Sequence, residues 1–144
     1  MTGNSRFAVS LHMLAYLACR HSAAVPSAEI AASVVTNPVV IRRLLSALTQ
    51  ARLVTAQKGA AGGFALALTP GNISLLSVYR AVNPSPRHGF TRIAPNIACP
   101  VGAKIQSILV ATFLKAQSRM EAALARVSIA TIHLQLGPVC SLKR

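Results

Sequence analysis

Residues 37–50, with the sequence NPVVIRRLLSALTQ, alternate apolar and polar positions with the period of an α-helix. At about 100° per residue, four large apolar side chains fall on one side: Ile41, Leu44, Leu45 and Leu48. The opposite side carries Val39, Arg43, Ser46 and Gln50, with Arg42 at its flank. Asn37 is suited to cap this helix, and Pro38 to take its first position, where a missing N–H costs nothing. We predict a helix that packs one face on a core and turns arginines and neutral hydrogen-bonding groups outward, as suits a DNA major groove.

The alternative for this segment is an ordinary surface helix with two solvated arginines, and its neighbours decide against it. Residues 5–19 predict a first core helix that begins at Ser5. Ser27 is suited to cap a short second helix, AEIAASV, which leads through Val35 and Thr36 into the 37–50 helix. The order helix, short helix, tight turn and helix is that of a helix-turn-helix unit.

The segment after residue 51 predicts a hairpin. Residues 53–57 and 64–68 form the strands, joined by the turn KGAAGG at residues 58–63. Phe64, Leu66 and Leu68 alternate with alanines, which predicts that one face of this strand is buried. Residues 73–82 then predict a further helix capped by Ser74. A hairpin after a helix-turn-helix is the wing of a winged helix.

Residues 83–99 contain several prolines and predict a long loop. From Val101 to Val127 apolar residues recur at a spacing of three to four for more than seven turns, which predicts a helix about 40 Å long. Such a helix overhangs a domain of this size, so we expect its apolar stripe to pack on a second copy in a two-fold dimer. The alternative is a helix that lies along its own domain. Ser128 and residues 129–136 predict a last short helix, ended by Gly137 and Pro138.

These patterns together predict a mainly α fold with a small β-wing. Residues 1–82 are the expected winged helix-turn-helix DNA-binding domain, 83–99 a loop or linker, and 100–144 a dimerisation helix with a C-terminal tail. The N-terminal segment resembles a signal peptide in apolar content, but polar residues interrupt its apolar run, so we interpret it as a core helix and expect a cytoplasmic protein without a membrane span.

The net charge of the chain narrows the functions that it could have. Fifteen Lys and Arg residues stand against two acids, Glu29 and Glu121, for a net charge of +13. Such a surface attracts polyanions, although a membrane surface or an acidic protein would also fit. Two acids on separate predicted helices exclude catalysis by paired carboxylates and carboxylate-rich metal sites. We expect no enzyme activity and no metal site.

Three cysteines, Cys19, Cys99 and Cys140, have neither zinc-site spacing nor a CxxC motif. Their odd number argues against a secreted disulfide framework, so a reducing compartment is the simpler interpretation.

Five stretches of the chain resemble the Rrf-two family of bacterial transcription regulators (the IscR, NsrR and YwnA group), and in particular its YwnA-like branch. They are SRFAVSLHMLAYLA, TNPVVIRRLLSALTQARLV, KGAAGGFALA, ISLLSVYRAV and ACPVGAKIQ. The resemblance implies a winged helix-turn-helix domain, a homodimer formed through the long helix 101–127, and regulation at palindromic promoter sites in double-stranded DNA.

The resemblance also implies which residues contact DNA. They are Arg6, Thr36, Asn37, Pro38, Val39, Arg42, Arg43, Ser46, Lys58, Gly59, Gly62 and Gly63. Ser5, beside Arg6, is a further candidate for a phosphate contact. Lys58 and the glycines would lie at the minor groove, although this family often has an arginine before its wing glycines.

The iron–sulfur members of that family hold their cluster with three cysteines before the long helix, whereas this chain has Cys99 alone there, with His88 nearby. A cluster needs about four ligands, so we expect no cofactor. Cys99 instead precedes Pro100 at the start of a helix, whose dipole lowers a thiol pKa. It is a candidate redox or electrophile sensor, and the alternative is a half-buried structural cysteine.

The resulting prediction is a sequence-specific, homodimeric DNA-binding repressor that responds to a redox or small-molecule signal without an iron–sulfur cluster. A second possibility is a protein of this fold that has lost DNA binding and acts as a thiol-based sensor or adaptor. A third is a basic adaptor that binds protein or RNA.

Overall fold

This computed structural model describes residues 3–21, 23–83 and 96–138. They contain six α-helices and a two-stranded antiparallel sheet. The helices are α1 (Gly3–Cys19), α2 (Ser27–Val34), α3 (Pro38–Gln50), α4 (Leu75–Val82), α5 (Pro100–Ala125) and α6 (Ile129–Leu136). The strands are β1 (Val54–Gln57) and β2 (Gly63–Leu66), and Pro70–Asn72 form a 3₁₀ turn. Residues 84–95 of the predicted loop 83–99, and the tail at 139–144, lie outside the described residues.

One hydrophobic core joins the helices to the sheet. Its fully buried side chains include Met13, Leu14, Leu17, Ile30, Ile41, Leu45, Leu48, Val54, Ile73, Val78 and Ile129. Burial of one such side chain stabilises the fold by about 1.5–3 kcal/mol. Because α3 contributes its whole predicted apolar face to this core, the opposite face of α3 must point away from it.

α2 and α3 meet at 115° across a short turn. This angle is typical of a helix-turn-helix unit, whose helices cross at about 90–120°. The Asn37 side chain accepts a hydrogen bond of 2.8 Å from the backbone N–H of Val39, so the predicted cap of α3 is confirmed. Within the described residues no single helix is long and apolar enough to cross a membrane. Only α2 and α3 taken together, as a bent pair, reach the length and apolar content of a membrane span.

The wing is a short antiparallel hairpin in which Val54 pairs with Leu66 and Gln57 with Gly63. A third segment joins its edge, since Val25 and Phe64 exchange backbone hydrogen bonds of 2.8 and 2.9 Å. The connection between α1 and α2 thereby ties the wing to the helix-turn-helix unit.

The face of the second strand that Phe64, Leu66 and Leu68 share is only partly buried. Ala65 is buried, whereas Phe64 and Leu66 are half-buried and Leu68 is exposed. The reason is tertiary: α1 packs against β2, and a methyl group allows a closer approach there than a large side chain. Phe64 and Leu66 still pack against the core from the other face, so both faces of this strand are partly covered.

The predicted helix starts are confirmed in part. Ser74 and Ser128 cap α4 and α6 by accepting hydrogen bonds from the N–H groups of Ser77 and Thr131. Ser27 does not cap α2, because Pro26 holds the cap position and its carbonyl accepts the first backbone hydrogen bonds. α1 already begins at Gly3, which places Ser5 inside the helix rather than at its start.

The C-terminal end of α5 is anchored to the rest of the fold at two points. Leu75 donates its N–H to the Val127 carbonyl and Ile129 donates to the Ile73 carbonyl, both at 2.9 Å. Between α4 and α5, Arg80 donates a 2.6 Å hydrogen bond to Glu121. α6 then packs on α1. The expected division of the chain into a DNA-binding domain, a linker at 83–99 and a dimerisation segment stays a prediction.

The other carboxylate of the chain joins α1 to α2. Glu29 forms an ion pair with Arg20 and accepts a 2.6 Å hydrogen bond from the Tyr16 hydroxyl. The Arg20 guanidinium also lies 5.7 Å from the centre of the Tyr16 ring. The hydrogen bond to Glu29 is the main reason why the pKa of Tyr16 is raised above its ordinary value, and burial adds to it.

Replacing Glu29 with glutamine should lower the free energy of unfolding by about 1 kcal/mol, since the side chains of Arg20 and Glu29 are 31% and 37% exposed and water screens the pair. Thermal unfolding should show a midpoint about 3 °C lower. Tyr16→Phe, which removes one hydrogen bond and keeps the ion pair, should cost less. An unchanged midpoint for E29Q would contradict the proposed link between α1 and α2.

The same substitution has a spectroscopic readout. The chain has two tyrosines, so a Tyr79→Phe background leaves Tyr16 as the only one. Glu29→Gln should lower the pKa of Tyr16, because the neutral glutamine oxygen is a weaker acceptor for the hydroxyl than the carboxylate and the tyrosinate loses a repelling charge. Absorbance titration at alkaline pH measures the shift, and an upward shift would contradict this assignment.

Candidate nucleic-acid interface

The outward face of α3 carries the predicted DNA-contacting side chains. All six candidates on this helix and at its cap are exposed: Asn37, Pro38, Val39, Arg42, Arg43 and Ser46. Thr36, in the preceding turn, is half-buried. The burial of the opposite face agrees with the predicted geometry, whereas the individual contacts with DNA stay predictions.

The charges on this face are not neutralised by acids. The two carboxylates of the chain are engaged elsewhere, Glu29 with Arg20 and Glu121 with Arg80. Within the described residues, Arg42 and Arg43 form no ion pair. Two arginines on an exposed helix without a competing carboxylate are free to attract phosphate or to donate to base edges.

The wing turn exposes Lys58 and Gly59 at its tip, and its three glycines differ in role. Gly59 has φ +113°, a conformation that side chains rarely adopt. A Cβ on Gly62 would meet the Gln57 carbonyl oxygen at 2.5 Å, so this glycine closes the turn. A Cβ on Gly63 would lie 2.5 Å from the Val25 carbonyl. Gly62 and Gly63 therefore have packing reasons to be glycine that are independent of DNA.

Arg6 lies exposed in α1, apart from the α3 face. In the described residues no hydrogen bond or ion pair joins its side chain to α3 or to the wing, so its role as a phosphate contact stays a prediction. Sequence reasoning missed Val35 and Arg52, which both have positive φ and exposed side chains beside the two ends of α3. No local signal marks them, because valine and arginine rarely adopt this conformation.

Cys99 is exposed and precedes the first turn of α5, so it is not the half-buried residue of the structural alternative. Its thiol does not cap the helix with a full hydrogen bond. The backbone N–H groups of Gly102 and Val101 nevertheless favour the thiolate and lower the pKa of Cys99 below its ordinary value. A Cβ on Gly102 would overlap the Asn96 carbonyl, so this glycine lets residues 96–99 fold closely over the start of α5.

Cys19 lies at the end of α1 and is disulfide-bonded, and its sulfur is 3.7 Å from Nδ1 of His133. The expectation of a reducing compartment, which followed from the number and spacing of the cysteines, stays a prediction. Among the described cysteines, Cys99 is the free thiol.

Three comparisons identify proteins that this chain resembles. A family model described as Rrf2, an iron-dependent transcriptional regulator, matches residues 3–134. YwnA of Bacillus subtilis (strain 168), named as a proposed HTH-type transcriptional regulator, is 43% identical over 126 residues, which are 88% of this chain and 92% of YwnA. A proposed DNA-binding protein of known crystal structure is 40% identical, with a TM-score of 0.71 over 88% of this chain and 97% of that one. A proposed transcriptional regulator from Lactobacillus plantarum is 30% identical, with a TM-score of 0.78 over 91% and 89% of the two chains.

The family description implies iron, and an iron site needs several metal-binding side chains close together. Cys99 is exposed, and no group of three or more His, Cys, Asp or Glu residues in the described parts of the chain could hold a metal ion. An iron–sulfur cluster needs about four ligands, and the described residues do not bring four such side chains together. The described residues do not fit such a cluster.

Cys99 should react with iodoacetamide at lower pH than an ordinary thiol does. Because its pKa is lowered, the thiolate fraction rises earlier as the pH increases, and the alkylation rate follows it. Mass spectrometry of the labelled peptide, with N-acetylcysteine in the same tube as reference, gives both pH profiles. Cys99→Ser protein measures background labelling. A Cys99 midpoint at or above that of the reference would contradict the prediction.

Proposed function

Because the chain belongs to the Rrf2 family of transcriptional regulators, we propose that it is a cytoplasmic homodimer that binds palindromic promoter sites and represses transcription. Rrf2 proteins regulate transcription and are not enzymes, and DNA is the partner of this chain. The observation that carries the proposal is the exposed face of α3, which presents Arg42 and Arg43 beside neutral hydrogen-bonding groups with no carboxylate to neutralise them.

The two arginines have different roles in this proposal. Successive residues point about 100° apart on a helix, so one base edge cannot receive both side chains. Arg43, central on the outward face, reads a base, and Arg42, at the flank, contacts phosphate. Ser46 adds a hydrogen bond. The Asn37 oxygen already caps α3, which leaves the amide NH₂ group to donate to a phosphate.

The other candidates supply contacts around this helix. Thr36 and Pro38 place the N-terminus of α3 against the DNA backbone, and Lys58 with Gly59 approaches the neighbouring minor groove. Arg6 contributes a phosphate contact from α1. These contacts mainly set orientation and affinity, because phosphate contacts carry no direct sequence information.

The dimer forms through α5. No residue of α5 is fully buried, and large apolar side chains along it are exposed, among them Val101 (68%), Ile105 (37%) and Ile108 (58%). Gln117, Glu121 and Leu124 are half-buried near α4. At about 100° per residue, the exposed stripe faces more than 90° away from that packed side. A long apolar stripe away from its own domain suits a second copy of the helix.

Cys99 lies at the start of this dimerisation helix, which suits a sensor. In the proposal, oxidation or alkylation of its thiolate alters how the two α5 helices pair and weakens DNA binding. Its support is the exposure of Cys99 and its lowered pKa at the helix start.

Arg43→Ala should cost about 1–3 kcal/mol in binding to duplex DNA from the protein's own promoter and should relax specificity at one position. Arg42→Ala should weaken all duplexes equally and reduce the salt slope by about one. Fluorescence titrations of promoter and scrambled duplexes at several salt concentrations measure both effects.

Arg126→Ala, which removes the same charge from the end of α5, is the matched control and should leave the preference for the promoter unchanged. If R43A weakens promoter and scrambled duplexes equally, Arg43 does not read bases. A wild-type protein with a flat salt slope would instead favour the alternative, a thiol-based sensor that keeps the fold without binding DNA.

Ile108→Asp should convert the dimer to a monomer and raise the dimer dissociation constant by about 100-fold or more, because the two-fold axis buries two unpaired charges. Sedimentation velocity over a range of concentrations measures this change. Leu114→Asp is the control, since Leu114 is an exposed apolar residue of α5 (60%) off the predicted stripe. Equal effects of the two substitutions would contradict the assigned face.

A further inference from the structure

Val35, in the turn between α2 and α3, has a backbone conformation that does not suit its side chain. Its φ and ψ are 53° and 52°, in the left-handed region that β-branched residues avoid. Val35 is the residue at which the chain leaves α2: its N–H still donates a 2.9 Å hydrogen bond to the Ala31 carbonyl, and its left-handed conformation then turns the backbone towards α3. Glycine is the usual residue at such a helix end.

Packing does not explain the valine. Its side chain is 88% exposed, so it contributes little to the core. A β-branched side chain that is unfavourable for the backbone and almost absent from the core suggests a contact outside the chain.

A second exposed valine lies in the first turn of α3. Val39 is 48% exposed and shares the outward face with Arg43 and Ser46. Val35 and Val39 flank Asn37 and Pro38, which are also exposed. The start of α3 therefore presents two apolar side chains on a surface whose other notable feature is unneutralised arginine.

The charge around these valines identifies the surface that covers them. Arg42 and Arg43 form no ion pair in the described residues, and the net charge of the chain is +13. The occupant must therefore combine negative charge with small apolar groups. The major groove of DNA has both, since the thymine C5-methyl group is its apolar feature and phosphates line its edges.

We propose that Val35 and Val39 contact thymine methyl groups in the major groove and so select A·T pairs at the positions they cover. The assignment rests on the proposed binding of promoter DNA and adds the residues that distinguish thymine from the other bases. Val39 enters the groove with α3, and Val35 contacts it from the turn.

Promoter duplexes in which deoxyuridine replaces thymine test the proposal, because uracil keeps the pairing and the groove hydrogen bonds and lacks only the methyl group. Replacing thymines one at a time should weaken wild-type binding by about three- to fivefold at one or two positions of each half-site. Fluorescence titration at fixed salt measures each ratio of thymine to uracil affinity.

Val39→Ser and Val35→Gly identify the side chains responsible. Each should reduce the ratio toward one at its own thymine and leave the other unchanged. Val35→Gly is expected to stay folded, since glycine accepts the left-handed conformation, and its thermal midpoint should equal or exceed that of the wild type. Leu134→Ser, at an exposed apolar residue of α6 (78%), is the matched control and should keep the wild-type ratios.

The possible results separate the two proposals. A wild-type protein that prefers the promoter but binds thymine and uracil duplexes equally overturns the assignment of the valines and leaves the proposed function intact. An equal uracil penalty in wild type and both variants attributes it to duplex shape and also overturns the assignment. Absence of any preference for the promoter over a scrambled duplex overturns both.

Discussion

The packing of one apolar face of α3 determines the arrangement of everything proposed to contact DNA. Ile41, Leu44 and Leu48 are buried in the shared core, so α3 cannot rotate about its axis without exposing large side chains. Exposing one of them costs about 1.5–3 kcal/mol, more than an exposed hydrogen bond would recover. Arg43 is directed outward by this constraint on the opposite face, whatever its own interactions are. The orientation of the face proposed to contact DNA is therefore a consequence of the core.

The scarcity of acids gives each carboxylate a large share of the architecture. Glu29 joins α1 to α2 and so supports the first helix of the helix-turn-helix unit, while Glu121 joins α5 to α4 through Arg80. Arg80 and Gln117 both donate to Glu121 and lower its pKa below the ordinary value. This stabilisation is present above the pKa of Glu121 in the unfolded chain and is lost as the pH falls through its pKa in the folded chain. Because both acidic side chains are paired in this way, they do not neutralise the other basic residues, which can attract phosphate.

Local rules predicted the parts of the fold that depend on neighbouring residues, among them the buried face of α3 and the cap at Asn37. Contacts between distant segments were beyond them. Ala65 is fully buried and Phe64 only half-buried because α1 approaches β2 closely, and Gly63 is glycine because the connection between α1 and α2 passes over it. Val35 takes a conformation that its side chain disfavours, since the geometry of the turn overrides local preference. The candidate interface could be predicted as a face that includes Val39, whereas the exposed Val35 beside it could not.

In the proposed dimer, a signal at Cys99 would have to reach DNA along α5. The helix has 26 residues and is about 39 Å long. Its C-terminal end is attached to the DNA-binding part by an antiparallel β-bridge between Ser74 and Ser128 and by the hydrogen bond from Arg80 to Glu121. Cys99 lies at the opposite end, so its modification cannot act on α3 by direct contact. It can act through the pairing of the two α5 helices, which sets the separation of the two α3 helices. Half-sites lie about 34 Å apart on one face of DNA, so a small rotation at that pairing would displace one α3 from its groove while the other remains bound.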